Sequence, residues 1–175
     1  TPRVQTAALG AVFFFVFSAY TTIQFYSHTI YGPRLAADSV SAVYAAFTLC
    51  APLSAGVINK FGCSASMFLG VLGYAALVLA SLIYFLYGGE TIFWSCRLVV
   101  LGGSILGCGA SILWTAQGRL ILQYASKAEE LGEANNKGDD KSQTGKLMGL
   151  FWAIFQCSSL VGGAISFLYY DTKPE

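Results

Sequence analysis

Long uncharged runs dominate the hydrophobic pattern of this chain, and short polar or glycine-containing stretches interrupt them at fairly regular intervals. A helix rising ~1.5 Å per residue needs ~20 apolar residues to cross a hydrocarbon core of ~30 Å. Five runs meet that length, and they predict membrane spans at 6–31, 39–59, 64–87, 94–120 and 147–170. The first holds AALGAVFFFVFSAYTTIQFYSHTIY between Arg3 and Arg34, and Gly32-Pro33 supplies its stop. Asp38 and Ser39 form a plausible cap for the second, which ends at Asn59. A tight turn at Asn59-Lys60-Phe61-Gly62 leads into the third, which ends at Gly88-Gly89-Glu90.

The fourth run continues its helical pattern beyond any bilayer thickness, so its limits come from charge. Arg97 and Arg119 bracket the uncharged part, and both are expected to anchor at opposite interfaces by extending their long side chains toward water. In the fifth, Trp152 and the pair Tyr169-Tyr170 stand where interfacial aromatics are common. The predicted fold class is therefore all-α, a polytopic transmembrane bundle of about five spans forming one domain over 1–175.

Composition agrees with a membrane setting. The chain is 55% hydrophobic and 11% charged, against roughly 45–50% and about 25% in soluble domains. Nine of its nineteen acidic and basic residues lie between Lys127 and Lys146, which predicts a solvated loop over 126–146. Arg3, Lys60, Arg119, Lys127, Lys137, Lys141 and Lys146 fall on one side of a five-span arrangement, with Arg34, Arg97 and Lys173 on the other. The positive-inside rule then puts the N-terminus on the cytoplasmic side, or the matrix or stromal side of an organelle. A net charge of +1 excludes nucleic acid as the expected partner.

Helices in lipid associate by close packing, so small residues mark contact faces. Gly103 and Gly107 form a GxxxG pair in the fourth run, and Gly162 and Gly163 thin the fifth. Polar side chains inside a membrane are costly and become functional candidates by default. Tyr20 and Gln24 share one helix face, with Ser27 and Tyr31 continuing it; Trp114 and Gln117 lie at i and i+3, and Gln156 precedes Ser158 and Ser159. A cavity among the first, fourth and fifth helices would gather Tyr20, Gln24, Trp114, Gln117 and Gln156. The same residues also suit hydrogen bonding between neighbouring helices.

Cys50, Cys63, Cys96, Cys108 and Cys157 are odd in number and set in apolar surroundings, which favours packing over metal or disulfide. His28, the one histidine, suits an interfacial position, and no acidic residue lies mid-span for carboxylate-type proton coupling. The chain carries no HExxH, GxSxG or GxxxxGK[ST] pattern, so no enzyme chemistry is expected. No cofactor is evident, although bound lipid or pigment would suit gaps in an aromatic-rich bundle.

The stretch Gly56-Val57-Ile58-Asn59-Lys60-Phe61-Gly62 is similar to the turn between helices two and three of the major facilitator superfamily, with Asn59 at the position usually held by an acid. Four further blocks are more specific: SAYTTIQ (Ser18 to Gln24), SAVYAAFTLCAPLSAGVINKFGC (Ser41 to Cys63), GCGASILWTAQG (Gly107 to Gly118) and GLFWAIFQCSSLVGGAIS (Gly149 to Ser166). On these the chain resembles the Unc-ninety-three-like family of ion channel regulatory proteins, built on the major facilitator fold. The resemblance implies the N-terminal half of that fold without its sixth helix, since the family continues into a sixth helix and a second half. It also implies action by contact with other integral membrane proteins, such as a channel. Two alternatives stay open: half of a solute transporter, which would need the missing half to rock against, and an accessory or scaffold subunit of a large organellar complex.

Overall fold

The computed structural model describes residues 1–87, 93–130 and 143–171. Its regular structure is helical throughout, with no strand among the described residues: α1 (Pro2–Leu86), α2 (Phe93–Glu130) and α3 (Gln143–Asp171). All three are long and apolar enough to cross a membrane.

Five helices are expected from the hydropathy pattern, whereas the structure holds three continuous elements. The difference lies in how the turns are made. A straight α1 of 85 residues would reach ~130 Å. Instead the chain bends at two glycines, Gly32 (φ 76°, ψ 162°) and Gly62 (φ 81°, ψ 165°), into helical stretches 2–31, 33–61 and 63–86. Both glycines occupy a backbone region essentially closed to residues with a Cβ. At Gly32 the following Pro33 disfavours helical ψ for the residue before it and is itself preorganised to begin a helix. Helix therefore resumes at once after Gly32, and the cap expected at Asp38-Ser39 is instead helix interior, with Ser39 buried. The second turn falls at Gly62 itself, the last residue of the turn predicted from sequence.

The third stretch closes with Tyr87 donating its backbone N–H to Ile83 O at 3.0 Å. The predicted stop at Gly88-Gly89-Glu90 lies outside the described residues. Helix α2 continues well past 120 because Ile121, Ala125 and Ala128 are buried on one face, while Gln123, Ser126, Lys127 and Glu129 are exposed. That amphipathic end makes 126–130 helical. At the other side of the charged segment, α3 already begins at Gln143, where Gln143, Leu147 and Phe151 repeat the buried spacing of a helix. The middle of the predicted loop lies outside the described residues.

The chain divides into two compact units, one of residues 1–22 and 118–175, the other of residues 23–117. The first is closed by phenylalanines. Phe13 and Phe17 stack at 5.8 Å, as do Phe151 and Phe155 at 6.0 Å. The pairs meet edge to face, Phe13 with Phe151 at 5.1 Å and Phe17 with Phe155 at 4.9 Å. Spacing of i and i+4 on each helix produces this arrangement, and edge contact puts the positive ring edge on a negative face.

The second unit is closed by small residues. A methyl group on Gly103 would approach Ser39 O to 2.9 Å, and one on Gly107 would collide with Val43 O and stand 2.8 Å from Ala46 Cβ. With Cys50 beside Cys108 and Ser54 beside Ser111, these contacts advance together, so stretch 33–61 and α2 run in the same direction. On another face of α2, Gly109 meets Gly70 and Gly73, while Gly102 meets Leu77 and Ala80, so stretch 63–86 runs the opposite way.

Candidate functional site

A hydroxyl inside an apolar bundle must find an acceptor, and most serine and threonine hydroxyls here use their own helix. Thr6 donates to Pro2 O at 3.0 Å, Ser18 to Phe14 O at 2.7 Å, Thr21 to Phe17 O at 2.7 Å and Thr22 to Ser18 O at 2.8 Å. Such bonds back to a carbonyl one turn earlier satisfy the group without needing another helix.

Among the described residues, polar side chains also join separate helices within the second unit. The buried Tyr31 hydroxyl donates to Ser81 Oγ, and Ser81 in turn donates to Leu77 O at 2.7 Å. Tyr31 also meets Tyr84 edge to face at 5.3 Å. With Ala36 and Val99 they form a buried cluster, against which Ile30, Leu35 and Cys96 pack. Deeper along the parallel pair, Ser54 donates to Ser111 Oγ at 3.0 Å, and the sulfurs of Cys50 and Cys108 are 2.8 Å apart as free thiols. Sequence reasoning singled out Tyr31 on a polar face but missed Ser54, Ser81 and Ser111. The available signal was small-residue spacing: Ser111 continues the GxxxG row from Gly103 and Gly107.

The residues proposed from sequence as a polar cluster fall in different units. Tyr20 is half-buried and Gln156 exposed in the first; Gln24 and Trp114 are half-buried and Gln117 is buried in the second. Arg97 and Arg119 are both exposed on α2. Of the glycines marked for packing, Gly103 and Gly107 lie against stretch 33–61, Gly162 is buried, and a methyl group on Gly163 would meet nothing within 4 Å. Among the described residues, two buried hydroxyls, Ser66 and Ser158, have no hydrogen-bond partner.

The outward faces are strongly apolar. Leu49, Leu53, Phe68 and Leu79 are exposed in the second unit, and Phe15, Leu160 and Phe167 in the first. In water such surface would drive aggregation; in a bilayer it is the surface that lipid or another membrane protein covers. The described helices thus carry broad outward apolar faces and bury serines, a threonine and glutamines among their apolar residues.

The family described as "Ion channel regulatory protein UNC-93" matches residues 37–175. UNC93-like protein 1 of Arabidopsis thaliana is 28% identical over 136 residues, covering 78% of this chain and 25% of that protein. UNC93-like protein MFSD11 of Xenopus tropicalis is 26% identical over 174 residues, or 95% of this chain and 33% of the relative. Protein unc-93 homolog A of Homo sapiens is 27% identical over 166 residues, with 93% and 33% covered. The chain thus spans about a quarter to a third of the length of these relatives. No solved structure matches it significantly. The match over 37–175 shows that this helical membrane-type chain belongs to the UNC-93 family.

Proposed function

We propose that this chain is a bundle of five membrane-crossing helices that acts by docking against other integral membrane proteins, a channel among them, and regulating or stabilising them. The observation that carries this reading is the family match, whose description is that of an ion channel regulatory protein. Stretches 2–31, 33–61 and 63–86 of α1 each exceed the ~20 residues that a crossing needs, and α2 and α3 supply the other two. Strict alternation makes the second and fourth crossings parallel and the third and fourth antiparallel, in agreement with the contacts of α2. The arrangement suits the N-terminal part of a major facilitator fold, and the name of one relative, MFSD11, points the same way. The N-terminus and the 126–146 region lie on the cytoplasmic, matrix or stromal side in this reading. The bundle works by contact, without catalysis.

Purification in a gentle detergent after cross-linking in the membrane tests it. The expected product is a larger assembly, with cross-links on exposed apolar positions such as Leu49, Leu53 and Phe68. Reconstitution of the purified protein supplies the opposing result. Saturable solute flux, lost in Gln24→Leu or Gln117→Leu, would make the polar set a substrate path and replace docking with transport.

A further inference from the structure

Stretch 33–61 and α2 lie side by side in the same direction, close enough that backbone meets backbone. A methyl group on Gly107 would stand 2.8 Å from Ala46 Cβ and 3.0 Å from Phe47 N. Cys50 follows Ala46 by one helical turn and Cys108 follows Gly107 directly, and their sulfurs are 2.8 Å apart. One turn further, Ser54 donates to Ser111 Oγ at 3.0 Å. The thiol pair is therefore held between two close contacts, one on either side, and neither helix has to move for the sulfurs to meet.

Two free thiols this close admit a bridging metal ion or a disulfide. Metal–thiolate bonds of ~2.3 Å in tetrahedral geometry set two sulfurs ~3.8 Å apart, farther than they stand here. Among the described residues no group of three or more His, Cys, Asp or Glu side chains is placed to hold a metal ion. A disulfide needs only the short remaining gap to close, which rotation of the two side chains supplies. Cys50 and Cys108 are both half-buried, while Leu49 and Leu53 beside Cys50 and Ile105 one turn before Cys108 are exposed, so the pair borders the surface that meets lipid. Cys108 also stands midway between Arg97 and Arg119, a depth that the charged, water-soluble thiols of a reducing compartment do not enter.

We propose that Cys50 and Cys108 form a redox pair that closes to an intramolecular disulfide on reaction with an organic hydroperoxide carried in the bilayer. The Cys50 sulfur attacks the O–O bond; the alkoxide leaves with the thiol proton as an alcohol, and Cys50 becomes a sulfenic acid. The Cys108 sulfur then attacks the Cys50 sulfur; the S–S bond forms, the S–O bond breaks, and the hydroxyl leaves with the Cys108 proton as water. Two thiols together give up two electrons, and one hydroperoxide is reduced to one alcohol and one water. The product ties stretch 33–61 covalently to α2 and fixes the two helices against sliding or parting. This switch rests on the helices lying in a bilayer and not on the docking reading, since no partner protein enters the reaction.

The test uses the purified protein in phosphatidylcholine liposomes, treated with cumene hydroperoxide, quenched with N-ethylmaleimide, digested without reduction and read by mass spectrometry. Peptides joined through Cys50 and Cys108 should dominate the linked products, while Cys63, Cys96 and Cys157 carry the alkyl label. After transfer to mild detergent the joined form should unfold about 5–10 °C above the reduced form, and a membrane-permeant phosphine should abolish that gain. Cys50→Ser and Cys108→Ser should each lose both the link and the shift. Singly labelled Cys50 and Cys108, links that favour other cysteines, or a lower unfolding temperature in the joined form overturns the proposal. If a serine variant fails to fold, the unaltered protein decides through the identity of its joined peptides and the reversal by phosphine.

Discussion

The unit of residues 1–22 and 118–175 and the unit of residues 23–117 draw on the same apolar alphabet and close helix against helix by opposite means. In the first, Phe13, Phe17, Phe151 and Phe155 fill the space between helices with large rings, while Gly10 near Ile154 allows one close approach. In the second, Gly70, Gly73, Gly102, Gly103, Gly107 and Gly109 remove side chains so that backbones nearly touch. Ring packing gains dispersion and edge-to-face electrostatics, whereas backbone proximity gains many short contacts at little side-chain entropy. It also brings hydroxyls within reach across helices, which is why Ser54 finds Ser111 there. The lesson is that one unit should suffer from subtraction and the other from addition.

The largest expected effect is Phe151→Ala, which empties a fully buried ring position and should cost about 3–5 kcal/mol. Reversible unfolding in detergent measures it; a loss below that of an exposed control, Phe68→Ala, would show that the rings do not carry the first unit. Next comes Gly107→Leu, at about 3 kcal/mol, since even one methyl group collides with Val43 O. Gly56→Leu is its partner experiment and should leave stability unchanged, because Gly56 faces open space. Equal yields of folded protein for both leucine variants would break the claim that backbone proximity closes the second unit.

Gly62→Ala should cost about 2 kcal/mol through backbone strain alone, because no neighbouring atom stands within 4 Å of its site. Insertion of a D-alanine at position 62 by semisynthesis should restore stability, and failure to do so would move the cause from dihedral strain to packing. The smallest effect is the coupling between Ser54 and Ser111. A double-mutant cycle to alanine should return about 0.6 kcal/mol, and a value of zero would reduce that hydrogen bond to mere proximity.

Much of this architecture was legible in the chain. Gly32-Pro33 and the turn ending at Gly62 mark both bends of α1, because only glycine accepts the required backbone angles there. Uncharged length identified the membrane class, and the row Gly103, Gly107 pointed to a contact face. The limits of α2 and α3 were less legible, since the charge run drew the loop boundary at 126 and 146 while buried Ile121, Ala125, Ala128, Gln143 and Leu147 carry helix past both. Charge reports where water is; it does not report where helix ends.

Pairing was decided by tertiary structure. The sequence does not say that Gly107 lies against Val43 while a methyl group on Gly163 or Gly56 would meet nothing, and nothing in it joins Tyr31 to Ser81 across fifty residues. In a soluble helix one apolar stripe shows which face is inward, but here lipid-facing and helix-facing sides are both apolar, so periodicity carries little of that information. Composition and local backbone preference therefore set the helices and their bends. Which faces meet depends on the fit of small residues against backbone in three dimensions, a property of pairs of helices and not of either one alone.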